Sequence, residues 1–319
     1  MIFIMMIIGL AMLIIGANLL VEGSIKIAKK FKISTIIISM TIISIGTSMP
    51  EFAIACVSSS KGSQIALSNN IGSIISTIAI SVGITSLLYT IHLKKNISRE
   101  VVKMILIQMV LLLLLVIGDG LNIMDGIIFL VIFAFYMRHL IKKSKKIISE
   151  RDEEKLIEEK ENFIKEAEDI KQMSIFTACT FIVVGLILVI YGSNFVVDAA
   201  TQIARYLSLS EAFIGVTVVA LGTTLPELST ALVAGKKKEF DIIIGNVIGS
   251  GVSNIMLIVG VASIIHPIHY TNTLLFQIGF MILFGLIFYT LSTQEKIERD
   301  DGLVLLSMYI IFVTLSSII

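Results

Sequence analysis

Apolar residues fall in long runs along this chain, separated by short polar stretches. Ten runs stand out, at residues 2–22, 34–58, 65–91, 101–118, 123–141, 174–197, 211–234, 240–265, 272–292 and 302–319. A helix of about 20 apolar residues crosses the roughly 30 Å hydrocarbon core of a bilayer. Backbone in lipid must satisfy its own hydrogen bonds, so runs of this length are predicted as helices. A membrane β-barrel would show alternating segments of about ten residues instead, and these runs do not alternate. The expectation is an all-α membrane protein with ten transmembrane helices.

Composition agrees: of 319 residues 56% are hydrophobic and 15% charged, with a mean hydropathy of +0.96. A soluble domain carries more charge. The formal net charge of +1 gives no case for nucleic acid as a partner. Cys56 and Cys179 lie inside apolar runs, where cysteine acts as a small hydrophobe. The first run is too long for a signal h-region and lacks a basic flank, so it reads as a retained helix.

The basic residues orient the chain. Of 25 Lys and Arg, all but Lys61 and Arg205 fall in alternate loops, at the helix ends beside them, or in the central segment. Basic loops stay cytoplasmic. Both termini are therefore expected outside a cell membrane, and the polar segment 142–173 inside. In that segment Glu and Lys at helical spacings suggest a solvated helix, and it reads as a linker between residues 1–141 and 174–319.

Those two parts repeat each other. Residues 43–51 read ISIGTSMPE and residues 219–227 read VALGTTLPE, an offset of 176. The same offset aligns Gly16-Ala17-Asn18 with Gly192-Ser193-Asn194, and Asp125-Gly126 with Asp301-Gly302. At offset 177, Asn69-Asn70-Ile71-Gly72-Ser73 aligns with Asn246-Val247-Ile248-Gly249-Ser250. Each repeat holds five predicted helices. Five is odd, so the second repeat enters the membrane from the opposite face, an inverted repeat of the kind secondary transporters use.

The repeated motifs carry the chemistry. Pro50 and Pro226 stand at matched places, and each withholds the N–H that would bond the carbonyl four residues back, at Gly46 and Gly222. Helices 2/3 and 7/8 are expected to be broken around a central ion site. Beside each proline stands a carboxylate, Glu51 or Glu227. An ionised group in the bilayer is costly and needs a partner or a function. No Lys or Arg lies between Arg205 and Lys236, so a bound cation is the natural counter-charge. Protonated, hydrogen-bonded glutamates are the alternative, and the doubling of the whole motif speaks against it. Thr47 and Ser48 precede Glu51 on one helical face, as Thr223 and Thr224 precede Glu227. The next helix of each repeat offers Ser73 and Ser250, with Thr77 and Asn254 one turn on. Every candidate ligand is oxygen, which suits Na⁺, Ca²⁺ or Mg²⁺ rather than zinc or copper. Ca²⁺ takes about six to eight such ligands, with Glu51, Glu227, Thr47 and Thr223 as its expected contacts. Two carboxylates balance one Ca²⁺ or two Na⁺.

Gly46-Thr47-Ser48-Met49-Pro50-Glu51 and Gly222-Thr223-Thr224-Leu225-Pro226-Glu227 resemble the two α-repeat signatures of sodium/calcium exchangers. Gly245-Asn246-Val247-Ile248-Gly249-Ser250 resembles the companion signature. The resemblance spans nearly the whole chain and is closest to the compact prokaryotic form. It implies a secondary antiporter working by alternating access, a diamond-shaped cluster of cation sites, and carbonyl ligands from Ser44 and Ala220. It also implies three Na⁺ exchanged for one Ca²⁺, with no resident cofactor and a monomer as the working unit. The chain departs from the family pattern at Ser68, where a glycine is usual, and at Thr77, where an asparagine is usual. Asn254 stands where potassium-dependent members carry Asp, and so resembles potassium-independent exchangers.

Other classes fit less well. Calcium/proton exchangers share the architecture but lack the proline at the acidic helix. A channel needs a continuous pore rather than two inverted halves around one site. An intramembrane enzyme is not expected, since His92, His139, His266 and His269 all lie at predicted helix ends.

Overall fold

A computed structural model describes residues 2–31, 33–61, 65–94, 97–154, 174–206, 220–269 and 271–316. The helices are α1 (Ile2–Lys30), α2 (Thr35–Thr47), α3 (Met49–Ser60), α4 (Ala66–Leu88), α5 (Ile97–Ile117) and α6 (Ile123–Glu154) in the first half. The second half holds α7 (Ile175–Tyr206), α8 (Ala220–Thr223), α9 (Leu225–Lys236), α10 (Phe240–Ile265), α11 (Asn272–Ser292) and α12 (Arg299–Ser316). Seven of them are long and apolar enough to cross a membrane. An eighth span is the pair α2 and α3, bent by 47°. Of the expected runs, 211–234 lies partly outside the described residues, and its described part is α8 and α9. Run 302–319 corresponds to α12, which opens on Arg299, Asp300 and Asp301. The helix α6 continues past position 141 to Glu154, and most of the expected linker, from residue 155, lies outside the described residues.

Burial sorts the helices. α4 and α10 are enclosed on nearly all sides, and α1 and α7 keep a broad apolar face outward. Phe3, Ile4, Ile7, Ile14, Phe176 and Ile187 are exposed there, which suits contact with lipid tails. Such outward faces have no drive to associate in lipid, so helix contacts rest on close packing of small residues. α1 and α7 meet in this way along antiparallel stripes: Gly9 faces Gly192, Gly16 faces Gly185, and Gly23 faces Ala178.

These contacts come in pairs that the sequence repeat exchanges. A Cβ on Gly9 would meet the Gly192 carbonyl at 2.9 Å, and one on Gly185 would meet the Gly16 carbonyl at 2.8 Å. A Cβ on Gly302 would lie 2.6 Å from the Gly83 carbonyl, and one on Gly126 would lie 2.5 Å from the Gly260 carbonyl. Strand β1 (Ile91–His92) pairs antiparallel with β2 (Lys296–Ile297), Ile91 opposite Ile297; its counterpart is the bridge from Leu121 to Ile268. The helix caps match as well. Asp125 accepts the Asn122 N–H at 2.9 Å, and Asp301 accepts the Glu298 N–H at 2.8 Å.

The polar ends close with ion pairs. Lys94 pairs with Asp241, which also accepts from Thr35 at 3.3 Å, and Lys237 pairs with Glu22 at 2.9 Å. Burial, and then the neighbouring Asp241, push the Glu239 carboxyl up from the ordinary range, against the pull of Lys29, Lys94 and Lys237.

The packing makes a testable demand. Gly126→Ala and Gly302→Ala should each destabilise the protein by about 1–3 kcal/mol through overpacking. Gly279→Ala should cost nothing, because no atom lies within 4 Å of the added methyl. Thermal unfolding in detergent compares the three, and equal melting would refute the reciprocal close packing.

Candidate functional site

The prolines set the geometry. α2 stops at Thr47, Ser48 leaves the helical region at φ −83°, ψ 10°, and α3 restarts at Met49 with Pro50 in its first turn. Thr224 occupies the matching turn before Leu225 and Pro226, at φ −93°, ψ −1°, still at the edge of the helical region. Proline tolerates the first turn of a helix, where its missing N–H has no intrahelical partner to find. Each break therefore places a glutamate, Glu51 or Glu227, in the first turn of a new helix, where the helix dipole favours negative charge.

Helices α4 and α10 differ from expectation. Neither is broken. Each widens instead into a π-helical stretch, Thr77–Val82 and Asn254–Val259, that begins at one of the paired candidate ligands. No proline interrupts these helices, so the backbone keeps its bonds and only the register changes. π-turns of this kind recur at functional sites. Gly249 allows close approach, since a Cβ there would lie 2.6 Å from the Met40 carbonyl and 2.4 Å from Ser44 Oγ, whereas Gly72 faces open space.

Seven of the candidate residues, Glu51, Glu227, Thr47, Ser48, Ser73, Ser250 and Asn254, converge. Glu51 and Glu227 are fully buried. They lie close enough to interact electrostatically. Ser73 donates to Glu51 Oε1 at 3.0 Å, and Asn254 Nδ2 donates to Ser73 Oγ at 3.4 Å. Ser48 Oγ approaches Ser250 Oγ at 3.4 Å. The hydroxyls of Thr47 and Ser48 face Glu227. Yet Glu227 Oε1 and Oε2, Glu51 Oε2, Asn254 Oδ1 and Thr77 Oγ1 accept no hydrogen bond of ordinary geometry. Thr224 is buried and Thr223 half-buried. The Ser44 carbonyl accepts the Ser48 N–H at 3.1 Å and Thr47 Oγ1 at 3.3 Å. Ala220 opens α8. A small crevice lined by Met49, Phe52, Ser253 and Leu257 reaches Ser48.

Five buried oxygens without a well-formed hydrogen bond are costly unless something positive satisfies them. Among the described residues no Lys or Arg pairs with either glutamate. Nor does any group of three or more His, Cys, Asp or Glu gather there, as a transition-metal site would need. The arrangement suits a hard, exchangeable cation.

Two residues were not singled out by the sequence as site residues. Asn246, buried on α10, receives Thr47 Oγ1 at 3.3 Å through its Oδ1. Its repetition as Asn69, whose Nδ2 is buried without a partner, was the available signal. Ser193 donates to the Gly222 carbonyl at 2.7 Å. The oxygen freed by Pro226 is thus taken by a neighbouring helix.

Comparison with known proteins agrees with this geometry. The family described as sodium/calcium exchanger protein matches residues 1–142 and 177–318. An uncharacterized membrane protein of Methanocaldococcus jannaschii is 31% identical over 305 residues, which cover 95% of this chain and 94% of that protein. A sodium/calcium exchanger of Methanosarcina acetivorans is 26% identical over 97% of both chains. The sodium-calcium exchanger NCX_Mj, solved after soaking in Na⁺ and Ca²⁺, superposes with a TM-score of 0.79 at 30% identity, covering 97% of this chain and 96% of that one. The shared signatures, the shared fold and the buried oxygen cluster lead to one conclusion: this chain belongs to the sodium/calcium exchanger family.

Proposed function

We propose that the protein is a secondary active antiporter that exchanges Na⁺ for Ca²⁺ by alternating access. The observation that carries this is the pair of fully buried glutamates, Glu51 and Glu227, with three of four carboxylate oxygens lacking a hydrogen bond of ordinary geometry and, among the described residues, no Lys or Arg paired with them. The proline at both acidic helices favours sodium over proton coupling. The relatives named above as sodium/calcium exchangers support the same reading.

The architecture belongs to this proposal: ten transmembrane helices as two inverted five-helix repeats, residues 1–141 and 174–319, joined by a cytoplasmic linker at 142–173, with both termini outside. The exchanged contact pairs support it, since two halves related by a two-fold axis in the membrane plane must make each contact twice. Ca²⁺ is held between Glu51 and Glu227, with Thr47 and Thr223, while the carbonyls of Ser44 and Ala220 belong to the wider cation cluster. Ser48, Thr224, Ser73, Ser250, Thr77 and Asn254 complete the set for Na⁺. Gly46, Pro50, Gly222 and Pro226 shape the two helix breaks. The protein works as a monomer on these ions within the lipid bilayer.

Charge decides how one site serves two ions. The cluster carries a formal charge of −2, matched by one Ca²⁺. Three Na⁺ leave one positive charge to neutral oxygens, so the two loaded forms differ in charge and transport is electrogenic.

Three outcomes follow. Glu51→Gln and Glu227→Gln should each reduce sodium-driven calcium-45 uptake into proteoliposomes to background while the purified protein still melts cooperatively. Wild-type flux in either variant would sink the two-carboxylate site. A potential set with valinomycin should change the flux, because one charge is worth about 2.3 kcal/mol per 100 mV; indifference to it would point to a two-for-one exchange. Replacing K⁺ by choline under clamped potential should leave uptake unchanged, because Asn254 adds no third carboxylate to balance an extra cation. A saturable stimulation by K⁺ would contradict that reading of Asn254.

A further inference from the structure

Contacts inside the α1–α7 pair, and those between α4 and α12 and between α6 and α10, come as two-fold copies, but the junction of α1 and α7 with the ion-site helices does not. Ser193, buried on α7, donates to the Gly222 carbonyl at 2.7 Å. This is the oxygen that Pro226 leaves without a helical N–H. The matched positions in the first half are Ala17 on α1 and Gly46, whose carbonyl Pro50 frees in the same way. Alanine has no hydroxyl to offer. The packing differs too. A side chain on Gly222 would meet Val197 of α7. For Gly46 the three nearest atoms all belong to Leu186, again of α7, rather than to Val21 of α1, the residue matched to Val197. Helix α7 therefore lies against both breaks.

We propose that Ser193 is a positioning residue that favours this conformation of the transport cycle over the opposite-facing one. The inference rests on the inverted-repeat exchange reading above. In such a protein the two halves trade conformations as access alternates. What α7 does for Gly222 here, α1 does for Gly46 there. In that state Ser193 withdraws from Gly222 and Ala17 arrives at Gly46, where no hydrogen bond forms. One state thus holds a buried hydrogen bond that its mirror state lacks. A neutral hydrogen bond of this kind shifts an equilibrium by about two- to twelve-fold.

The apparent affinity at each membrane face scales with the fraction of protein open to that face. The test measures the apparent KM for Ca²⁺ at both faces in proteoliposomes of defined orientation. The proteins are the wild type, Ser193→Ala, Ser193→Thr, Ala17→Ser and the double variant Ala17→Ser/Ser193→Ala. Ser193→Ala removes the bond from this state, and Ala17→Ser adds its counterpart to the other. Both should move the ratio of the two KM values in the same direction, by about two- to twelve-fold each. The double variant should show about the product, and Ser193→Thr should stay near wild type. A serine that only supports folding gives Ala17→Ser no reason to follow. If Ser193→Ala fails to fold, Ala17→Ser alone carries the test. An unmoved ratio in either single variant, or shifts of opposite sign, would overturn the proposal while wild-type exchange stands. A wild type without sodium-driven calcium uptake would overturn the exchange reading and this inference with it.

Discussion

Repulsion between two buried carboxylates, with no Lys or Arg paired to them among the described residues, is the constraint around which the centre of this protein is arranged. Removing two charges from water costs several kcal/mol per ion, and only close opposite charge repays it. Glu51 and Glu227 are fully enclosed, and in the exchange proposed above the repayment comes from an ion that arrives and leaves. The hydroxyls of Thr47, Ser48, Ser73 and Ser250 suit such a visitor. A hydroxyl can lend lone pairs to a cation and turn its proton to a carboxylate when the cation departs. A lysine in the same place would neutralise the site permanently and end the exchange.

The helix breaks serve the same constraint. Placing each glutamate in the first turn of α3 or α9 gives it the positive end of a helix, which is a partial and fixed charge. That eases burial without supplying a whole counter-charge. The π-helical stretches begin at Thr77 and Asn254, whose Nδ2 reaches Ser73, while α4 and α10 stay continuous. Continuity matters because these helices are the most enclosed of the bundle, where a broken backbone would strand polar groups.

Much of this was legible in the sequence, and the part that was not has physical reasons. Hydropathy located the spans because lipid imposes both composition and length. The breaks at Ser48 and Thr224 were legible because proline changes the backbone wherever it sits. The π-turns were not, since no residue type announces them and ordinary helical residues form them. Glu and Lys at helical spacings in 142–173 suggested a solvated helix, but nothing in that charged pattern showed that it continues α6 without a break to Glu154. The bond from Ser193 to Gly222 joins residues 29 apart on different helices. A repeat alignment shows Ala17 opposite Ser193, but only coordinates show what the hydroxyl touches.

The paired contacts carry a consequence for how such a chain can change. In a dimer of identical subunits, one glycine at the two-fold seam would serve both contacts, and one substitution would alter both at once. Here Gly302 beside Gly83 and Gly126 beside Gly260 are encoded separately, so each copy can drift alone. Joining the halves in one chain thus relaxes a symmetry that assembly would otherwise enforce. Ser193 opposite Ala17 shows the outcome: a protein with a nearly symmetric frame can hold its two faces at unequal energies, and a carrier with unequal faces has a preferred resting side.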